Sequence, residues 1–308
     1  MDDRGMLRRK FLLGLAADGW RLEEKPGVVQ IVRGGETIAG LYVGKEWDKP
    51  FLYPLRAVDG TELSRGWPVA ARPGDNQDHA WHRGLWWGHG VINGEDFWRE
   101  KPGASGFIRT SRASGRKQGD RFALRGQHHL ETRTGQRIAR LETTWTVWDD
   151  GRVRVIDFAM ALRGEQPLIF GDTDDGGTGI RLREEFREDR GAKLANAEGL
   201  RGAAQIWGKA SAWTHYEATV AGKPYGVAMM SHPSNPRHPS GWHARNYGLN
   251  SANPFAASSF AGEKNGQRGA YELAAGASLR LRYRLILHEG LPQNLAGRFE
   301  QWTREQSK

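Results

Sequence analysis

The sequence predicts a mostly β protein, a large antiparallel β-sandwich with a C-terminal helix, on three observations. Forty-one glycines and 13 prolines are spread along 308 residues, which suits many short strands joined by turns better than a helical bundle. Several segments carry an apolar residue at every second position, the period of a strand with one face on a core and the other in water. No alternation of strands with helical segments is visible, which argues against a parallel α/β sheet.

Val28 to Val32 and Thr37 to Val43 open the series of strands, and Phe122 to Leu130 follows. In the next, Ala139, Leu141, Thr143, Trp145 and Val147 form one face against Arg140, Glu142, Thr144 and Thr146. Between Arg152 and Met160 the apolar phase changes from Val153 and Val155 to Ile156, Phe158 and Met160, which predicts a β-bulge. Ala210 to Val220 and Tyr225 to Ser231 are further strands. Leu279 to Leu287 is the clearest, with Leu279, Leu281, Tyr283, Leu285 and Leu287 on one side and Arg280, Arg282 and Arg284 on the other. Leu295, Phe299 and Trp302 recur at helical spacing, so Pro292 to Gln306 reads as a helix packed against a sheet. The polar stretches Ser111 to Asp120 and Gly262 to Arg268 read as surface loops. The predicted organisation is an N-terminal extension over residues 1–26 and a single β-sandwich domain over residues 27–308.

The formal net charge is +9, carried by 34 arginines and 11 lysines that are scattered along the chain without a basic block. Nucleic-acid binders concentrate such charge in runs or on one face, so no nucleic-acid partner is expected. A net positive field still attracts anionic substrates such as uronates. The absence of cysteine excludes disulfides, thiolate metal sites and a cysteine nucleophile. No apolar run approaches the ~20 residues needed to cross a bilayer, so no membrane span is expected. Arg8-Arg9-Lys10-Phe11-Leu12 with the apolar stretch Phe11 to Ala17 is similar to a twin-arginine export signal, but Asp18 ends that stretch at once. The expected location is cytoplasmic, with export through this signal as the alternative.

Chemistry concentrates in two histidine-rich segments. The first runs from Asp78 to Trp98 and holds His79, His82, Arg83, Trp86, His89, Asp96 and Trp98. The second, from His232 to His243, holds Asn235, Arg237, His238 and His243 and has three prolines within seven residues, which makes it a rigid platform. Imidazoles move protons or bind metal, and tryptophan faces stack on sugar rings. Gly171 to Gly177 adds Asp172, Asp174 and Asp175 on a glycine-rich turn that suits a cation or a base. His128 and His129 are adjacent in an alternating strand and so point to opposite faces. The two histidine segments are expected to meet in one pocket.

The sequence also resembles a bacterial family labelled PmoA-like, or methane oxygenase PmoA, over nearly the whole chain beyond about Gly27. The resemblance rests on Phe51-Leu52-Tyr53-Pro54-Leu55-Arg56, on Asp78-His79 with His82-Arg83-Gly84-Leu85-Trp86, and on His89-Gly90 with Asn93-Gly94-Glu95-Asp96-Phe97-Trp98. It continues through Asn196-Ala197-Glu198-Gly199, Trp207-Gly208-Lys209, His232 to Pro239 and Asn253-Pro254-Phe255. Ala80, Trp81, Asp174 and Asp175 depart from the family's pattern. The resemblance implies a sugar-mutarotase type of β-sandwich and, by analogy, carbohydrate chemistry; a true methane oxygenase subunit of that name is an integral membrane protein.

Three functions follow as expectations. The first is a carbohydrate-active hydrolase, lyase or epimerase acting on a small-molecule or oligosaccharide substrate. Its acid–base groups come from His79, His82, His89, His238 and Asp175. Trp86 and Trp98 are its stacking walls, and Arg83, Asp96, Asn235, Arg237 and His243 are its substrate contacts. The second is an enzyme using a divalent metal as cofactor, held by His79, His82 and His89 or by His238 and His243, with Asp78 or Asp175. The third is a non-catalytic sugar-binding module.

Overall fold

The computed structural model describes residues 19–290 and 294–305; the twin-arginine-like segment lies outside them. In chain order the described strands are β1 (Trp20–Lys25), β2 (Val28–Arg33), β3 (Glu36–Tyr42), β4 (Phe51–Tyr53), β5 (Leu85–His89), β6 (Phe107–Gln118), β7 (Arg121–Glu131), β8 (Arg137–Asp150) and β9 (Val153–Gly164). They continue as β10 (Leu168–Phe170), β11 (Gly176–Arg181), β12 (Lys193–Asn196), β13 (Trp213–Val220), β14 (Lys223–Ser231), β15 (Gly241–Ala244), β16 (Leu249–Asn253), β17 (Tyr271–Leu273) and β18 (Ser278–Glu289). The α-helices are α1 (Ala203–Ile206), α2 (Ala257–Phe260) and α3 (Leu295–Glu305).

Two eight-stranded antiparallel sheets form a sandwich. The first has the order β1-β2-β3-β4-β5-β11-β16-β15, the second β12-β13-β14-β18-β9-β8-β7-β6, and β10 and β17 make a small separate pair. The inner faces share one apolar cluster, with Leu41, Leu85, Trp87 and Ile180 from the first sheet against Leu141, Phe158, Leu281 and Leu285 from the second. Strand alternation does the sorting: in β18 the leucines enter the core while Arg280 and Arg282 face outward. The β2–β3 hairpin turns on Gly34 and Gly35 at φ 57° and 92°, the left-handed pair that a tight hairpin requires.

Two predicted features are corrected. No bulge lies between Arg152 and Met160, because β9 keeps register with both β8 and β18 throughout. Its apolar phase changes because both faces are buried there: Ile156 and Phe158 enter the core, while Val153 and Val155 pack under α3 with Leu295 and Trp302. Ser111 to Asp120 is mostly strand rather than loop, the polar edge of the second sheet. Charge and small residues blunt an edge against pairing with another chain.

Candidate active site on the outer face of the first sheet

Trp86, Gly179, Ser251 and His243 are register partners across β5, β11, β16 and β15, so they share the face turned away from the core. Gly179 leaves Trp86 room to lie on the sheet, since a Cβ there would sit 2.8 Å from the indole. On Trp86 stands a column of rings. His82 stacks on it at 5.1 Å, His79 on His82 at 5.0 Å and Tyr247 on His79 at 5.9 Å, with interplanar angles of 17°, 2° and 9°. Trp86 and His82 are buried, whereas the His79 side chain is 40% exposed. His79 has φ 44°, a conformation costly for a non-glycine residue and one that collects at functional sites.

The His79 ring is held from the side by Asp78, whose Oδ2 lies 3.2 Å from Nδ1. Asp78 Oδ1 accepts from Arg65 Nη1 at 2.6 Å and Arg181 Nη2 at 2.8 Å, and both guanidinium groups are fully buried. Burial pushes the Asp78 carboxyl up, but Arg181 and Arg65 outweigh it and hold the group below the usual carboxylate range. Beneath His79, both ring nitrogens of His82 and the indole nitrogens of Trp86 and Trp98 are buried without a hydrogen-bond partner among the described residues. Burial holds His82 well below the usual imidazole range, so its ring is neutral.

A second carboxylate environment forms at the aspartate turn. Asp175, on the turn before β11, pairs with Arg99, which Asp96 steadies through Oδ2 at 3.1 Å. Burial pushes Asp175 up, Arg99 opposes, and Asp174 and Asp96 add to the rise, so the net shift is upward. Asp175 and His243 lie within electrostatic reach of His79. His243 donates from Nδ1 to the Asp174 carbonyl at 2.8 Å and accepts at Nε2 from Arg245 at 3.0 Å. Burial lowers it to about 4, so it anchors the aspartate turn as a neutral ring.

Other residues singled out in the sequence lie elsewhere or are already engaged. His89 follows Trp87 by two residues and therefore faces inward; its Nε2 donates to the Gly171 carbonyl at 2.8 Å, and burial lowers it to about 4. His238 stacks on Phe299 of α3, on the outer side of the second sheet. Asn235 bonds to both backbone groups of Arg282, its Oδ1 accepting at 2.7 Å and its Nδ2 donating at 2.8 Å. Arg237 gathers the carbonyls of Gly269 and Ala270. Arg83 makes a two-pronged pair with Glu100 between Trp47 and Phe51 and is 3% exposed. Trp86 and Trp98 are both 0% exposed, so neither offers a wall for stacking. Among the described residues no three His, Asp or Glu side chains are grouped to hold a metal ion. His82 is enclosed by rings, His89 faces the core and His238 belongs to the other sheet, so the two proposed ligand sets do not assemble.

Sequence reasoning missed Arg65, Arg181, Arg99 and Tyr247. Arg181 had a signal: a lone arginine closing Gly176 to Ile180, a run too small and apolar for a solvent-facing strand. Half-buried aromatic faces border the site at Tyr247, Trp81 and Trp207.

Fold and site together define an antiparallel two-sheet sandwich with titratable groups gathered on one outer face. The chain belongs to a family of unknown function (DUF6807), whose profile matches residues 28–299. This overturns the PmoA-like resemblance: no comparison indicates a methane oxygenase relationship, and among the described residues no helix is long and apolar enough to cross a membrane. A search of curated proteins finds no match. Among solved structures the chain is similar to a galactose mutarotase-like protein from Lactobacillus casei, at 10% identity and a TM-score of 0.45, covering 88% of this chain and 100% of that one. It is also similar to a galactose 1-epimerase from Lactobacillus acidophilus, at 10% identity and a TM-score of 0.45, covering 88% and 98%. At such values the likeness says nothing about chemistry.

Proposed function

We propose that the outer face of the first sheet is the active site of an acid–base enzyme acting on a sugar, with His79 and Asp175 as the proton-transferring pair. The observations that support this reading best are the strained, partly exposed His79 held at Nδ1 by Asp78, and the Asp175 carboxylate paired with Arg99 on the turn before β11. Asp78 is held ionised by two buried arginines, while Asp175 is lifted by burial. A fixed carboxylate keeps His79 oriented, and a carboxyl raised by burial is suited to proton transfer.

In this reading Asp175, which burial holds above the ordinary aspartate range, is the base and takes a proton from a substrate hydroxyl. His79, braced at Nδ1 by the Asp78 carboxylate, is the acid and donates from Nε2. On a cyclic hemiacetal, Asp175 removes the anomeric hydroxyl proton while His79 protonates the ring oxygen. The bond between the anomeric carbon and the ring oxygen breaks, and the open-chain aldehyde recloses on either face. This step needs only the two proton carriers, so among hydrolase, lyase and epimerase the pair favours the epimerase. Tyr247, Trp81 and Trp207 are the aromatic faces for the sugar.

Anomer exchange on a panel of neutral and acidic aldoses, followed by NMR, tests the proposal. The expected result is acceleration of at least one sugar, with His79→Ala and Asp175→Asn each slower by ~10²–10⁴-fold and folded as the wild type is. No acceleration of any sugar, or full activity in both variants, contradicts it.

A further inference from the structure

Six of the arginines scattered along the sequence, Arg109, Arg112, Arg125, Arg140, Arg163 and Arg280, stand on the outer face of the second sheet. Across β6, β7, β8 and β9, Arg109, His129, Arg140 and Arg163 are register partners in one row on the outer face of the second sheet. Arg163 pairs in turn with Ser278, two residues before the outward-facing Arg280. Strand spacing sets neighbouring members about 4.8 Å apart. Arg112 and Arg125 stand on the same face, one and two rows further along. Arg112, Arg125, Arg163 and Arg280 are exposed and make no ion pair among the described residues. Arg109 pairs with Asp48 at 3.4 Å, His129 with Glu131 at 2.8 Å and Arg140 with Glu165 at 2.7 Å, and Glu142 also lies on this face, so the positive surplus rests on Arg112, Arg125, Arg163 and Arg280.

The face is also shaped. Depressions of about 370, 360 and 370 Å³ run along it and share walls, the first two at Gln127 and Glu142, the first and third at Arg140 and Glu165. Ala159 and Ala161 keep the floor low between the charged rows. The helix α3 covers only the other half of this sheet, over Val153, Val155, Ala228, Met230 and Ile286.

We propose that this trough binds an acidic polysaccharide, a chain carrying a carboxylate on each sugar, laid across the strands. Exposed guanidinium groups spread along one face suit a polymer carrying many carboxylates, because each planar fork grips a carboxylate through two hydrogen bonds. Single-stranded nucleic acid is disfavoured, since its binders stack bases on exposed aromatic rings. Among the described residues the large hydrophobic side chains that are exposed are Val91 and Ile169, neither of them aromatic. Without an apolar rim the trough is equally ill-suited to a lipid surface.

Electrophoresis of the native full chain through gels containing polygalacturonate or dextran tests the proposal. The wild type is expected to be retarded by polygalacturonate and not by dextran. The triple variant Arg140→Ala, Arg163→Ala, Arg280→Ala is expected to bind roughly tenfold or more weakly, the sum of three exposed charge pairs. A control triple, Arg190→Ala, Arg201→Ala, Arg304→Ala, removes the same charge elsewhere and should change binding less than about twofold. Arg163→Glu alone checks the direction should the triple variant fail to fold. The site variant His79→Ala should be retarded as the wild type is, which keeps this outcome separate from that of the catalytic reading. Absence of retardation, equal loss in the two triples, loss in His79→Ala, or tighter binding of oligo(dT) than of polygalacturonate would overturn the assignment.

Discussion

The outer faces of the two sheets start from the same kind of strand and end with opposite characters. Over the first sheet, irregular segments between β4 and β5 and between β5 and β6 fold back, burying His82, Arg65, Arg83 and Arg181 with several nitrogens unpartnered among the described residues. Over the second, one half is sealed by the regular helix α3 and the other lies open with its arginines in strand register. The difference teaches where each kind of site arises. Irregular cover can hold a strained histidine beside a carboxylate fixed by buried arginines, whereas regular register can only repeat a group, which suits binding and not catalysis.

If the first face is an interior built on top of a sheet, its lower layer must behave as core. Trp86→Ala is expected to cost about 3–5 kcal/mol in chemical denaturation, as for a buried aromatic ring. A loss below about 1 kcal/mol, in the range of surface changes, would mean that the ring column does not bear on stability.

Arg83 sharpens the same point at smaller scale. Arg83→Lys keeps the charge but loses the fork that holds Glu100, so stability should fall by about 1–3 kcal/mol while sugar turnover per folded molecule stays unchanged. A selective rise in KM with unchanged stability would return Arg83 to the substrate. On the bare half of the second sheet the opposite holds. Arg280→Ala should shift the unfolding free energy by no more than about 0.5 kcal/mol, and a larger loss would show that the arginine row holds the fold together.

The fold was legible in the sequence wherever one face of a strand meets water. The leucines and arginines of β18 alternate without a break, and the apolar spacing of Leu295, Phe299 and Trp302 marks α3. The phase change in β9 misled because periodicity reports burial and not the cause of burial. A helix over the far face gives the same signal as a bulge. The site was legible in part. Trp86 and His89 are separated by an odd number of residues in one strand, so they had to face opposite ways. The second histidine segment was divided by the chain path. It leaves the second sheet at Ser231 and enters the first at Gly241, so His232 and His238 stay beside α3 while His243 reaches the aspartate turn. Nothing local in the sequence marks that crossing. The arginine row needed the pairing of four strands and could not be read from spacing along any one of them.

The most direct test of the account is the pH dependence of kcat/KM in the wild type and in Asp175→Asn, on whichever sugar the panel identifies. Asp175 must be ionised to act as base, and its raised proton affinity moves the acidic limb above the ordinary carboxylate range. The account predicts a bell whose acidic limb lies above about pH 4, the ordinary aspartate value. In Asp175→Asn that limb should vanish along with most of the rate. An acidic limb that persists unchanged in Asp175→Asn would contradict the assignment of Asp175 as the base.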